Sequence, residues 1–195
     1  MAADTRARIL AAAEDVVLTD GVARLTLEKA AGCAGLSKGG VLYHFPTRSA
    51  LVAAMVTRLA DRIDDSLRRH LAEVGHPSVD GAAPAEDAAT APGGYARAYV
   101  AEAFTLPQGE EEERGERLGA AVLAAMASEP ELLDPLRRAF ARWQGELEAD
   151  AGDPVRATIA RLAADGLWLS ELFGLAPLTP DLRARVRDEL IRMVG

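Results

Sequence analysis

The chain has 195 residues, 49% of them hydrophobic and only 5% aromatic, with Ala and Leu dominating the apolar set and β-branched residues sparse. That length suits one domain or a small domain joined to a larger one, and the apolar composition favours helix over sheet. The net charge of −8, from 22 basic and 30 acidic residues, argues against a chain that is basic throughout. The first 50 residues nevertheless hold six basic side chains (Arg6, Arg8, Arg24, Lys29, Lys38, Arg48) against five acidic ones, a net +1 that leaves −9 for the rest. A locally basic head can meet DNA while an acidic body repels it.

Nine helical segments are predicted. The first runs from about Asp4 to Thr19, with Ile9, Leu10, Ala13, Val16 and Val17 on one stripe and Gly21 as its stop. Thr26 can cap a short second helix over 27–34. Gly35 makes the turn, Ser37 caps a third helix over 38–44, and Pro46 breaks the chain. The fourth helix is long, about Thr47 to Glu73, with Leu51, Met55, Leu59, Ile63, Leu67 and Leu71 recurring every four residues. Residues 75–94, rich in Gly, Pro, Ala and Asp, are expected to be a mobile loop. A fifth helix covers about 94–106, the acidic run Glu110 to Glu113 is expected as a solvated loop, and a sixth helix covers about 115–127. Ser128 and Glu131 have capping-box spacing for the seventh, whose stripe is Leu133, Leu136, Phe140, Trp143 and Leu147. Asp153–Pro154 opens the eighth helix, which Gly174 ends, and Thr179–Pro180 opens the ninth.

Cys33 is the only cysteine. It excludes an intrachain disulfide or a thiolate metal cluster, suggests a reducing, cytoplasmic setting, and is itself expected to be a small buried hydrophobe. Residues 1–20 carry acids throughout, unlike a signal peptide, and no apolar run approaches the roughly 20 residues of a membrane span. The only histidines are His44, His70 and His76, and HExxH, GxSxG, Walker-type and GxGxxG patterns are all missing. No catalytic residue, metal or cofactor is therefore expected, and the chain is expected not to be an enzyme.

The segment TLEKAAGCAGLSKGGVLYHF, residues 26–45, reads as two short helices around a Gly-containing turn, the layout of a helix-turn-helix. The second of these helices begins with small and polar residues, which suits close approach to a DNA groove. On a wider pattern, the stretch from Arg8 to Leu51 resembles the DNA-binding domain of the tetracycline-repressor (TetR) family. The matching residues include Ile9, Leu10, Ala12, Ala13, Gly21, Thr26, Ala31, Ala34, Gly35, Leu36, Ser37, Gly39, Tyr43, Phe45, Arg48 and Leu51, with AGLSKGGVLYHFPTRSAL especially close. Three residues depart from the pattern. Ala30 stands where the family usually has Ile, Gly32 lies inside the second helix at a cost of about 1 kcal/mol relative to Ala, and Arg48 replaces the usual Lys. The first two predict a thinner core under that helix.

The resemblance implies an all-α protein with a DNA-binding domain at 1–46 and a ligand-binding and dimerisation domain at 47–195. It implies phosphate contacts from Thr26, Tyr43, His44 and Arg48, base-edge or groove contacts from Lys38, Gly39, Gly40 and Leu42, and a further DNA contact from Ser37. Thr26 and Ser37 also serve as caps, and His44 is either a phosphate donor or a packed ring. In such proteins a small-molecule effector sits among the middle helices and shifts a population between two spacings of paired heads. The candidate pocket residues are Met55, Leu59, Tyr99, Phe104, Met126, Phe140, Trp143 and Trp168, each of which could equally be ordinary core. The eighth and ninth helices are the candidate homodimer surface, through Ala163, Leu167, Leu169, Leu172, Phe173, Val186 and Leu190. The expected function is a ligand-responsive repressor released from a near-palindromic double-stranded operator by an apolar or aromatic molecule. The rival readings are a helical adaptor with a vestigial head, or a helical enzyme whose site is assembled only by folding.

Overall fold

The computed structural model describes residues 2–74, 93–126, 129–150 and 152–195. Among these lie nine α-helices: α1 (Ala2–Asp20), α2 (Leu27–Ala34), α3 (Lys38–His44), α4 (Arg48–Val74), α5 (Gly94–Phe104), α6 (Glu110–Met126), α7 (Asp134–Asp150), α8 (Pro154–Leu172) and α9 (Pro180–Val194). Two 3-10 turns, Val22–Arg24 and Pro130–Leu133, precede α2 and α7. Most of the 75–94 stretch expected as a loop lies outside the described residues, as does Ser128, the expected cap of the seventh helix.

Local chemistry explains most of the boundaries. The side chains of Thr26, Ser37, Asp153 and Thr179 each accept a backbone N–H in the first turn of α2, α3, α8 and α9, satisfying donors that have no partner inside the helix. Gly35 takes φ of 64° at the end of α2, a left-handed conformation that glycine adopts without a Cβ penalty.

One expectation is overturned here. Glu110 to Glu113 are not a loop but the first turn of α6. Four carboxylates at a helix N-terminus lie where the helix dipole favours negative charge, and Glu112 Oε2 accepts the Gln108 N–H at 2.7 Å.

The chain forms two compact units. The first comprises residues 1–60 with 108–138, and the second 61–107 with 139–195, so α4 and α7 contribute to both. In the first unit, the predicted α1 stripe of Ile9, Leu10, Ala13, Val16 and Val17 is buried against Ala30, Ala31, Val41, Phe45 and Leu51, with Leu118 and Val122 of α6 closing the core. In the second, α5 packs on α8 and α9 around Val100, Phe104, Ala160, Leu167 and Leu190. Gly93 lets the chain pass close to the end of α9: a Cβ there would fall 2.0 Å from the Val194 carbonyl oxygen. Asp150 Oδ2 accepts the Tyr95 N–H at 2.7 Å at the start of α5.

Candidate nucleic-acid interface

The helix-turn-helix is anchored from beneath. Ala30 and Val41 are fully buried, and Ala31 and Phe45 nearly so, which leaves the opposite faces of α2 and α3 free. Thr26 Oγ1 accepts the Lys29 N–H and Ser37 Oγ the Gly40 N–H, each at 3.1 Å. Thr26, Ser37, Lys38, Gly39, Leu42 and Tyr43 are all exposed, Tyr43 to 84%. Its ring meets His44 edge-on at 5.2 Å, and His44 is half-buried. A Cβ at Gly39 or Gly40 would meet only Ser37 Oγ, at 3.9 and 3.4 Å. Nothing among the described residues therefore demands glycine at these two positions. Arg6 lies over the Phe45 ring at 5.2 Å, and Arg8 donates to the Ala34 carbonyl at 2.9 Å.

Arg48 does not join this surface. Its guanidinium donates to the carbonyls of Leu25 (3.1 Å) and Val22 (2.9 Å), and grips Glu129 through both carboxylate oxygens at 2.7 and 3.1 Å. The Leu25 carbonyl just past the 3-10 turn needs a donor, the Val22 carbonyl accepts the Arg48 guanidinium in addition to the Leu25 N–H, and one planar guanidinium serves both and a carboxylate at once. Arg48 holds the Glu129 carboxyl below the usual carboxylate range, mainly through their hydrogen bond. Glu129 was missed in the sequence, since nothing local marks a partner 81 residues away.

Cys33 is exposed, contrary to expectation. Leu27, Ala30, Ala31 and Ala34 form the inner face of α2, and Cys33 falls on the other side.

The candidate effector residues divide between the units. Met55 is buried in the first unit's core and Leu59 packs against that core. The side chain of Met126 lies outside the described residues. In the second unit, Phe104 is core beneath Arg183, and Trp168 is half-buried. Tyr99, Phe140 and Trp143 come together, with ring centroids 6.2 Å (Tyr99–Trp143) and 5.0 Å (Phe140–Trp143) apart. Two polar groups that periodicity did not single out flank this row. Asp64 accepts the Trp143 Nε1–H at 2.6 Å. Asp165 accepts from Tyr99 Oη and from Arg161 Nη1, both at 2.7 Å.

Burial pushes the Asp165 carboxyl up, against the opposing pull of Tyr99 and Arg161. Burial and the Asp165 charge push the Tyr99 phenol up. The Asp165 shift has a defined sign. Over the interval from 3.8 up to the raised value, the native state holds a proton that the unfolded chain lacks. The group's contribution to stability therefore grows as pH falls through that interval, and it is constant below 3.8. Urea midpoints of the wild type relative to Asp165→Asn are expected to rise between neutral pH and about 4. A relative fall of the wild type would contradict the raised carboxyl.

Two open clefts occur in the second unit. One of about 220 Å³ is lined by Ala163, Gly166, Leu167, Ser170, Glu171, Ala176, Pro177, Leu178 and Val186. The other, about 160 Å³, is lined by Asp64, Leu67, Arg68, Leu71, Tyr95, Arg142 and Glu146. Neither is lined by any of the eight candidate effector residues.

The candidate dimer residues also separate. Leu167 and Leu190 are buried within the unit, where Val186 packs against them. Leu172 is half-buried, and Ala163, Leu169 and Phe173 are exposed. The outward stripe of α8 is Val155, Ile159, Leu162, Leu169 and Phe173, exposed by 68, 47, 56, 44 and 45%. Its first three members were missed, although their spacing of four and three residues is visible in the sequence.

The family model described as "Tetracyclin repressor-like, C-terminal domain" matches residues 93–195, and that for "Bacterial regulatory proteins, tetR family" matches 9–55. The HTH-type transcriptional regulator TtgR of Pseudomonas putida is 39% identical over 67 residues, which span 34% of this chain and 32% of that relative. The matched stretch is thus about a third of the relative's length. Among solved structures, a transcriptional regulator of Streptomyces coelicolor A3(2) superposes with a TM-score of 0.71 at 22% identity, covering 98% of each chain. One from Rhodococcus sp. Rha1 gives 0.64 at 27% identity, covering 97% of this chain and 95% of that one. The multidrug binding protein EbrR, seen with imidazole, gives 0.64 at 24%, covering 97% and 94%, and it is also known with malachite green and ethidium. With both of its regions matched, the second over more than half of its length, the chain belongs to the TetR family of transcriptional regulators.

Proposed function

We propose that the protein is a homodimeric repressor whose residues 1–46 bind a near-palindromic operator and whose residues 47–195 dimerise and bind a small effector that releases the DNA. The observation that carries this reading is the outer face of α3. Its N-terminal residues are exposed, Ser37 caps it, Gly39 and Gly40 lack side chains that nothing among the described residues forbids, and Tyr43 projects into solvent. In this arrangement Gly39, Gly40 and Leu42 face base edges, Lys38 lies in the groove with its ammonium within reach of the backbone phosphates, and Thr26, Ser37, Tyr43 and His44 reach phosphates. Arg48 is left out, because its donors already serve the first unit.

The outward apolar stripe of α8 supports a two-fold dimer, which would present paired heads to half-sites about 34–36 Å apart. An aromatic or apolar effector agrees with the molecules that EbrR binds.

Fluorescence anisotropy against a duplex enriched from a random pool tests the DNA reading. Lys38→Ala is expected to weaken binding about ten-fold and to make the salt dependence shallower by up to about one counterion. Tyr43→Phe, which removes one donor, is expected to weaken it about three- to ten-fold. Wild-type affinity in both variants would remove α3 from the interface. A thermal-shift screen of aromatic cations and neutral aromatics addresses the effector, since a ligand of the native state raises its melting temperature.

A further inference from the structure

The two lysines of the head are already engaged by acids of the head. Lys29 Nζ lies 2.7 Å from Asp20 Oδ2, and Lys38 Nζ is paired with the Glu28 carboxylate. Glu28 is placed in the first turn of α2, two residues after Thr26, and both it and Lys38 remain more than half exposed. Its carboxyl is held below the usual range, first by the hydrogen bond from Lys38, then by its own backbone N–H and the Lys38 charge, with the Thr26 side chain adding to the effect. A side chain assigned to the DNA contact, Lys38, is thus already engaged by an anionic group of the head. A carboxylate shares with a phosphodiester a delocalised negative charge and a pair of acceptor oxygens.

We propose that Glu28 is an internal stand-in for a DNA phosphate: in the free protein its carboxylate occupies the Lys38 ammonium, and a backbone phosphate displaces it when the head docks. The proposal rests on the regulator reading and adds a brake on phosphate attraction to it. An exposed ion pair stabilises little, so the exchange is easy where base contacts hold α3 in register. On random sequence, attraction to phosphates supplies nearly all of the binding, and there the competing carboxylate subtracts directly from it. Release of the same pair enters the operator complex as well, so Glu28 lowers the phosphate attraction of the head on any duplex.

The test uses the full chain, with Glu28→Gln, Lys38→Ala and the double variant. Each is titrated against a random-sequence duplex and against a duplex enriched from a random pool by the wild type, between about 50 and 200 mM salt. Glu28→Gln, matched in size and on an exposed position, is expected to keep the wild-type melting temperature within a few degrees. It is expected to tighten binding to the random duplex about three- to ten-fold at low salt and to steepen the salt dependence by about one counterion. The enriched duplex is expected to gain by a similar factor, because the same pair is released there. In the Lys38→Ala background the gain from Glu28→Gln shrinks to less than about two-fold, because the donor it would release is gone.

An unchanged affinity and salt slope for Glu28→Gln on the random duplex would overturn the proposal. So would the full gain persisting without Lys38, which would mark simple relief of repulsion between Glu28 and DNA. Should neither the wild type nor Glu28→Gln bind any duplex at any salt, the regulator reading itself fails and takes this one with it. Normal operator binding with a silent Glu28→Gln defeats the stand-in alone.

Discussion

Leu162→Glu is expected to sediment as a monomer at concentrations where the wild type sediments as a dimer, and to bind operator DNA at least about 100-fold more weakly. Leu162 is 56% exposed at the middle of an α8 stripe whose members Val155, Ile159, Leu162, Leu169 and Phe173 recur at helical spacing. Five large apolar side chains in one exposed row are more than a lone helix normally leaves in water. A partner helix related by a two-fold axis would cover the row with its own copy, and a carboxylate at its centre would be buried there without a counter-charge. The DNA effect follows from avidity, since joining two modest half-site contacts raises affinity about 10²–10⁴-fold when both can engage at once.

A control isolates the surface from the core. Leu167→Ala removes a side chain that is 8% exposed and packed on Val100, Phe104 and Leu190. It is expected to cost stability, about 2–5 kcal/mol, while leaving the dimer intact at temperatures where the chain is folded. A dimer that survives Leu162→Glu would place the interface elsewhere.

Trp143→Ala is expected to destabilise the second unit by about 3–5 kcal/mol, lowering its melting temperature by roughly 6–20 °C. Trp143 is 2% exposed, packs edge-on to Tyr99 and against Phe140, and donates its indole N–H to Asp64. Truncation removes a large buried surface and leaves the Asp64 carboxylate short of one donor, although Arg142 still reaches it at 2.5 Å. Trp143→Phe keeps most of the volume and loses the donor, so it is expected to fall between. A melting temperature unchanged in Trp143→Ala would mean that this ring is not a structural member of the unit and would restore it as a free wall for an effector.

The parts of the fold legible in the sequence are those governed by neighbours in the chain. Thr26, Ser37, Asp153 and Thr179 cap helices by reaching N–H groups two or three residues ahead. The predicted spans 27–34 and 38–44 coincide with α2 and α3 for that reason. The acidic run that opens α6 differs from its expectation because four adjacent glutamates look like solvated loop in isolation, although they complement a helix dipole once the helix forms. The candidate interface was equally local. Its exposed residues follow directly from which side of two short helices carries Ala30, Ala31 and Val41.

The roles of Arg48, Glu129, Asp64 and Asp165 were not legible, since each depends on a group from another element. Helix α8 shows the division most clearly. Its sequence carries two apolar stripes, Ala157, Ala160, Ala164 and Leu167 on one side, and Val155, Ile159, Leu162, Leu169 and Phe173 on the other. Periodicity determines by itself that a helix forms and that both stripes exist, because rotation by about 100° per residue is a property of the local backbone. Which stripe is covered is a long-range matter. Only the packing of α5 and α9 decided that the alanine-rich side faces inward and that the bulkier one was left to water or to a second copy of the chain.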